Sequence, residues 1–414
     1  MLGSITRTAT PRRVARGALV IGAAAALAVA GCSSKSTNNG SGGGAAEALK
    51  ITPLIQVDAQ GNEVPKADTS AAADPAGDGK AKCAPNTAIA YVGALTGPNA
   101  ALGININYGA KLAVDKHNKA NPDCQVVLKN FDTEGDPQKA SQLVPQVVQD
   151  QSIVAMIGPA FSGETKATGP IFNSAGLLAL TPSATNPDLT KNGWQTFFRG
   201  LGHDGLQGPA VAKYLTKVAG YKKICVVQDN SDYGTGLAQA VIAGLGAAAD
   251  PSCAVNIKAN DRDFSAAVSK LSSAKPDAIF YGGYYAESAP LVQQLRSAGV
   301  KTPFVSGDGS RDLQFIKQAG DAAKDALLSC PCGPEPDDFT NDYKALNKQD
   351  PGTYSVEGYD LSTIVLKAID SGKVTRSALV DHVRNYEGQG LARKYKWDAT
   401  GELTNALIWV YQVK

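Results

Sequence analysis

The sequence predicts an α/β protein of two doubly wound parallel-sheet lobes, and three observations carry that reading. From Thr87 onward, short β-branched apolar runs alternate with longer amphipathic ones. The alternation occurs as two series, the second beginning after FFRGLGHDG. The apolar runs give way to polar, glycine-rich loops such as IGPAFSGET and DNSDYGTG. Near-continuous apolar strands separated by helices indicate parallel sheets covered on both faces. The folded part of a 414-residue chain is long enough for two such units.

In the first series IAYVGAL precedes YGAKLAVDKHNKA, VVLKNFD precedes PQKASQLVPQVVQD, and IVAMIG precedes ETKATGPIFNSAG and LLALTPSA. The second runs PAVAKYLTKV, KKICVVQD, GLAQAVIAGLGAAA, AVNIKA, FSAAVSKLSSA, DAIFYGG, APLVQQLRSAG and PFVSGD. Ligands of open α/β sheets bind outside the carboxyl ends of the strands, where the strand order reverses. Two sheets facing one another through such loops enclose a cleft, a common place for small molecules.

The N-terminus speaks of location. Arg12, Arg13 and Arg16 form a basic region, GALVIGAAAALAVA an apolar one, and small residues lead to Cys32. This is an export signal, similar to the bacterial lipoprotein signal, which makes 1–31 a signal peptide and Cys32 the lipidated residue. The apolar run is short of the roughly 20 residues that span a bilayer. The Arg12-Arg13 pair also fits twin-arginine export. Residues 32–83 read as a Gly/Ser- and then Ala/Asp/Pro-rich linker in which LKITPLIQV can add a short strand. The folded region is expected to start near Cys83.

A formal net charge of +2 with interspersed signs argues against nucleic acid and against a polybasic membrane patch. His117, His203 and His382 lie far apart, so no metal and no cofactor is expected. Beyond Cys32, six cysteines in an exported chain suggest disulfides. Cys83 and Cys124 each precede a strand, and Cys225 and Cys253 sit at the starts of two others. Sequential parallel strands are often neighbours, which pairs Cys83 with Cys124 and Cys225 with Cys253. Cys330 and Cys332, separated by one proline, are expected to stay unbonded because a bridge there is strained.

IGPAFSGETKAT nearly spells a phosphate-binding loop, but Glu164 stands where the loop's lysine belongs. A carboxylate there repels a triphosphate. A glycine-bounded helix start without lysine suits a single carboxylate instead, through unpaired N–H groups and the positive end of the helix dipole. Ser162 either caps this helix or offers its hydroxyl to the guest. The folded part contains no G-x-S-x-G, H-E-x-x-H or lysine-bearing loop, so no enzyme is expected.

PSATNPDLT, DYGTGLA, RDFSAAVSKL, YGGYYAE and KWDATGEL follow one another in the order and spacing of a known family. From Ile89 to Val413 the chain resembles the periplasmic binding proteins of the branched-chain amino acid type, receptors of ABC importers. The resemblance implies a clamshell with three crossovers, with lobes at 84–203 plus 333–394 and at 204–332 plus 395–414. It implies a carboxylate site at Ser162 and Thr185, with Ala184 in the same turn. The ligand's ammonium meets the Ser183 carbonyl and Asp308, while Tyr233 and Tyr284 close from the second lobe. Leu102 stands where relatives often carry an aromatic residue, and Asp308 is one methylene shorter than the glutamate common there. The family's first-lobe disulfide has no counterpart, since Phe161 occupies one of its positions, and Cys83–Cys124 substitutes for it. The expected partners are an amino acid, a membrane permease and, through the lipid, the outer face of the membrane, with the receptor a monomer. The alternative is a ligand-sensing clamshell or a receptor for amides or urea.

Overall fold

The computed structural model describes residues 48–58, 60–65 and 70–414, which form one compact unit from Ala48 to Lys414. The export signal and Cys32 lie outside the described residues. After a first strand, β1 (Ile51–Val57), the chain builds a parallel sheet from β2 (Ala88–Gly93), β3 (Val127–Asp132), β4 (Ile153–Ile157), β5 (Leu178–Thr181) and β6 (Phe197–Arg199). A second parallel series follows: β7 (Ile224–Gln228), β8 (Val255–Asn256), β9 (Ala278–Gly282), β10 (Phe304–Ser306) and β11 (Leu327–Cys330). A hairpin of β12 (Glu387–Gln389) and β13 (Lys394–Lys396) precedes β14 (Ile408–Val413), which joins β11 antiparallel.

The two parallel series have the same order. The first reads β3-β2-β4-β5-β6 and the second β8-β7-β9-β10-β11, so in each the order reverses between its first and third strands. The strands carry what the apolar runs required: β2, β4 and β5 are buried along their whole length. Helices cover the sheets, and the chain passes between them three times. After β6 the helix Asp204–Lys213 packs on β11 and β14. After β11 the helix Ser355–Asp370 packs on the helix Ala100–Ala120 of the first unit. After β13 the chain returns to the second sheet as β14.

The short strand that LKITPLIQV can add is present as β1, so the folded region begins well ahead of Cys83. Ile51–Val57 pairs antiparallel with β14 at the sheet edge, with a register shift after Pro53. An edge strand is where a proline is tolerated, because it has no N–H to give to a ladder. Further on, the Ala73 N–H donates to the Gln389 carbonyl (2.8 Å), and the Asn121 amide donates to the Ala76 carbonyl (2.9 Å). Much of the stretch ahead of Cys83 is therefore fastened to the fold.

Cys83–Cys124 and Cys225–Cys253 are bonded, as the strand-neighbour reading expects. β2 lies beside β3 and β7 beside β8, each pair parallel. Cys330 and Cys332 are bonded too, contrary to expectation. The chain bends at Pro331 directly after β11, which leaves the two Cα atoms 4.9 Å apart, inside the range a disulfide spans.

Candidate functional site

The turn after β4 approaches the neighbouring strand so closely that residue 158 has to be glycine. Its φ is +124°, and a Cβ there would meet the Val92 carbonyl oxygen at 2.3 Å. The helix Ser162–Ser174 then starts, with Phe161 at the cap position and Ser162 as its first residue, so Ser162 is not the N-cap. Glu164 turns inward: it accepts from the Phe161 N–H (3.1 Å) and from the Thr133 hydroxyl. Burial raises its pKa to about 7. The Ser162 hydroxyl accepts from the Asn186 N–H at 3.2 Å, which leaves its own proton to donate. The helix start thus offers a hydroxyl and backbone N–H groups, with its own acid turned inward and the next turn's cation, Lys166, paired with Asp232.

The turn after β5 sits alongside and is held from behind. The Thr181 hydroxyl donates to the Pro159 carbonyl (2.8 Å) and accepts from the Ala184 N–H (3.0 Å), while the Ser183 hydroxyl donates to the Ala160 carbonyl. Arg199, wholly buried, donates through Nη1 to the carbonyls of Ala184 (2.7 Å) and Asn186 (2.9 Å). Its Nε and Nη2 form a forked pair with Glu402 at 3.0 and 2.7 Å. Thr185 is fully buried, and its hydroxyl lies beside the Asp204 carboxylate but outside hydrogen-bonding geometry.

Acids gather on the other side. Asp308 follows β10 and is 1 % exposed. Its Oδ1 accepts from Gln207 (2.8 Å) and the Tyr233 hydroxyl (2.9 Å), and its Oδ2 from the Tyr354 hydroxyl. Burial pushes its pKa up against those three hydrogen bonds. Asp204 is buried with both carboxylate oxygens unpartnered, and burial, then the charge of Asp308, pushes its pKa well up. Among the described residues neither acid forms an ion pair.

Phe161 and Tyr284 meet edge to face with centroids 5.2 Å apart, and Tyr284 also packs on Tyr233 at 4.9 Å. Lys166 pairs with Asp232 at 2.7 Å, and the Asn186 amide donates to the Asp232 carbonyl at 2.7 Å. The Ala101 N–H donates to the Tyr285 hydroxyl at 3.2 Å. The loops of the two sheets are therefore in contact, a closed arrangement.

Of the residues expected at the site, Ser162, Ser183, Ala184 and Thr185 form one hydrogen-bonded pair of turns. Tyr233, Tyr284 and Asp308 form a second group facing it. Tyr233 differs in role from a simple aromatic lid: its hydroxyl donates to Asp308 and accepts from the Gly309 N–H at 2.9 Å, so it holds the acid's loop. Leu102 lies in the first turn of the helix Ala100–Ala120, buried in the apolar core and without a polar part in either group.

A model of the family described as periplasmic binding protein matches residues 87–414. The chain belongs to that family. The leucine-, isoleucine-, valine-, threonine- and alanine-binding protein of Pseudomonas aeruginosa is 29% identical over 332 residues, covering 78% of this chain and 89% of that one. The leucine-specific-binding protein of Salmonella typhimurium is 31% identical over 337 residues, covering 78% and 90%. The branched-chain amino acid transporter substrate binding protein LivJ from Streptococcus pneumoniae, solved in complex with isoleucine, superposes with a TM-score of 0.73 at 27% identity. That match covers 79% of this chain and 99% of the solved one.

Three residues of this periplasmic binding protein escaped the sequence reading: Asp204, Arg199 and Tyr354. In HDG, Asp204 resembles the acid that commonly opens a helix, and it does stand first in Asp204–Lys213. Arg199 ends a three-residue strand where a surface cation is the ordinary expectation. Tyr354 lies in PGTYS, whose proline and glycine read as a turn. Arg199 and Tyr354 gain their places through partners between 15 and 203 positions away in the sequence, and Asp204 through its burial, none of which a local pattern displays.

Proposed function

We propose that this protein captures a free α-amino acid between its two lobes, with a branched aliphatic side chain preferred, and delivers it to a membrane permease. The observation that carries the reading is a split of charge preference across the cleft. One face is a helix start with Ser162 and its N–H groups, the other holds the buried Asp308 carboxylate, and Asp204, also without a cationic partner, stands between them beside Thr185. A zwitterion is complementary to both at once. Its carboxylate takes the N–H groups and hydroxyls of Ser162 and Thr185. Its ammonium takes Asp308 and Asp204 together with the Ser183 carbonyl, and gives those acids the charge their burial demands. Tyr284 and Leu102 border the side chain, and Tyr233 with Ala184 support the two polar faces.

The lobe division at 84–203 plus 333–394 against 204–332 plus 395–414 belongs to this reading, supported by which sheet each strand joins. Ligand exchange is then hinge motion of the second lobe about the three crossings, and Lys166–Asp232 is one of the contacts that closure makes. Export, a lipid on Cys32 and action as a monomer at the outer face of the membrane complete the proposal. They are supported by the N-terminal sequence and by the family's place in ABC import. The family is one of solute-binding proteins, and no reaction is assigned to the cleft.

Calorimetry of the purified protein with leucine, isoleucine and valine is expected to show saturable binding without turnover. Heat with a sugar and none with any aliphatic amino acid would contradict the reading.

A further inference from the structure

Tyr354 combines two features that rarely coincide. Its backbone lies in the left-handed region, φ +70° and ψ 2°, although it is a bulky residue with a glycine two positions before it. Its side chain is 3 % exposed and its hydroxyl donates to Oδ2 of Asp308. A bulky residue adopts such a conformation only when its surroundings over-determine it, and such residues cluster at functional sites. The residue opens the helix Ser355–Asp370, which packs on the first unit, while Asp308 follows β10 of the second sheet. The hydrogen bond therefore bridges the two units at the acid itself.

We propose that Tyr354 is a positioning residue for Asp308: it orients the carboxylate across the cleft and leaves it one accepting position for a cation. The proposal rests on the amino-acid reading of the cleft. A carboxylate has about four accepting positions. Gln207 and Tyr233 fill the two on Oδ1, and Tyr354 takes one on Oδ2. The remaining position on Oδ2 lies next to the Tyr354 hydroxyl, so that hydroxyl decides how closely an ammonium approaches. A single small ammonium fits that arrangement, and a doubly substituted one meets the tyrosine.

The groups around this contact are few. Asp204 and Gln207 face Asp308 from the helix Asp204–Lys213, Tyr233 from the helix Asp232–Leu245, and Tyr284 from the cap of Tyr285–Ser297. Glu357, one turn beyond Tyr354, is paired with Arg393, and Arg311, three residues after Asp308, donates to the Thr353 hydroxyl beside Tyr354 and pairs with Glu335. The hydroxyl's bond favours the ionised form of Asp308, against the burial that opposes it. Removing the hydroxyl therefore raises the pH at which Asp308 ionises, and binding of an ammonium is lost earlier on acidification.

The test is Tyr354→Phe, which keeps the ring, with an unchanged melting temperature or circular dichroism spectrum as the check on folding. NMR of the Asp308 side-chain carboxyl carbon in the unliganded protein is expected to show its titration moved up by about one pH unit or more. Valine affinity should fall about tenfold or more near neutral pH, and its acid midpoint should rise with the carboxyl titration. A Tyr354→Phe carboxyl that titrates as in the wild type overturns the proposal, whether or not valine binds. A wild-type protein that binds no amino acid overturns the reading of the cleft instead, and the carboxyl titration still decides the role of Tyr354. Dimethylated valine is expected to bind far more weakly than valine to the wild type, with the gap reduced in Tyr354→Phe. An undiminished gap contradicts the steric half of the proposal.

Discussion

Asp308→Ala is expected to weaken amino-acid binding several hundredfold or more. Asp308 is buried and has no cationic partner of its own among the described residues. In the proposed reading, a bound ammonium is the charge that offsets its burial. Removing one member of a buried, hydrogen-bonded charge pair costs about 3–5 kcal/mol, and about 1.4 kcal/mol is tenfold in affinity. Part of the loss comes from donors left behind, since Gln207, Tyr233 and Tyr354 all point at this carboxylate. Gln207 also donates to the Ser329 carbonyl and hydroxyl, so that side chain keeps partners and the loop has a second support. Calorimetry alongside a thermal melt separates lost recognition from lost folding. A variant that melts like the wild type and binds within about threefold of it, a difference under 1 kcal/mol, would place Asp308 outside recognition.

Arg199→Ala is expected to lower the free energy of unfolding by about 3–5 kcal/mol, the usual cost of breaking one side of a buried ion pair. The guanidinium is fully buried and its hydrogen-bond partners are local to the site's rear wall: Glu402 on one side, the Ala184 and Asn186 carbonyls on the other. The alanine variant leaves the Glu402 side chain with Thr190 as its remaining hydrogen-bond partner and takes the Arg199 donor from the Ala184 carbonyl, while the Asn186 carbonyl keeps the Leu189 N–H. Arg199→Lys is expected to recover only part of the loss, because an ammonium cannot make the planar fork to Glu402 while reaching both carbonyls. Urea denaturation of the three proteins reads this directly. Equal midpoints and slopes for wild type and Arg199→Ala would show that the turn after β5 stands without its rear support.

The parallel sheets were legible because they are repetitive. IVAMI is apolar throughout and LLALT up to its closing Thr181, the pattern a strand buried on both faces calls for. The disulfides of β2–β3 and β7–β8 were legible for a similar reason, since neighbouring parallel strands begin at the same edge of the sheet. Ser162 and Thr185 were visible as hydroxyls at strand-to-helix turns, although only the family likeness favoured a ligand role over helix capping. What stayed hidden depends on encounters between distant segments. β1 was legible as a short strand that LKITPLIQV can add, but its pairing with β14 at the opposite end of the chain was not. Cys330 and Cys332 looked too close in sequence to join, and the bend at Pro331 decides otherwise. Asp204 became noticeable only once burial was known: an acid at a helix start is ordinary, and one with two unpartnered buried oxygens is not.

The split of charge preference across the cleft is tested most directly by measuring valine and valinol against wild type and Ser162→Ala. Valinol keeps the side chain and the ammonium but lacks the carboxylate. A hydrogen bond to a charged group is worth about 1.5–3 kcal/mol, and valinol forfeits more than one, so it should bind the wild type far more weakly than valine. Ser162→Ala should then weaken valine more than valinol, because only valine presents the acceptor that the hydroxyl serves. The four affinities form a cycle whose coupling energy isolates that contact from any general loosening of the turn. A clear coupling between the Ser162 hydroxyl and the ligand carboxylate is the predicted result. Equal losses for both ligands would contradict it and leave Ser162 with only its structural bond to Asn186.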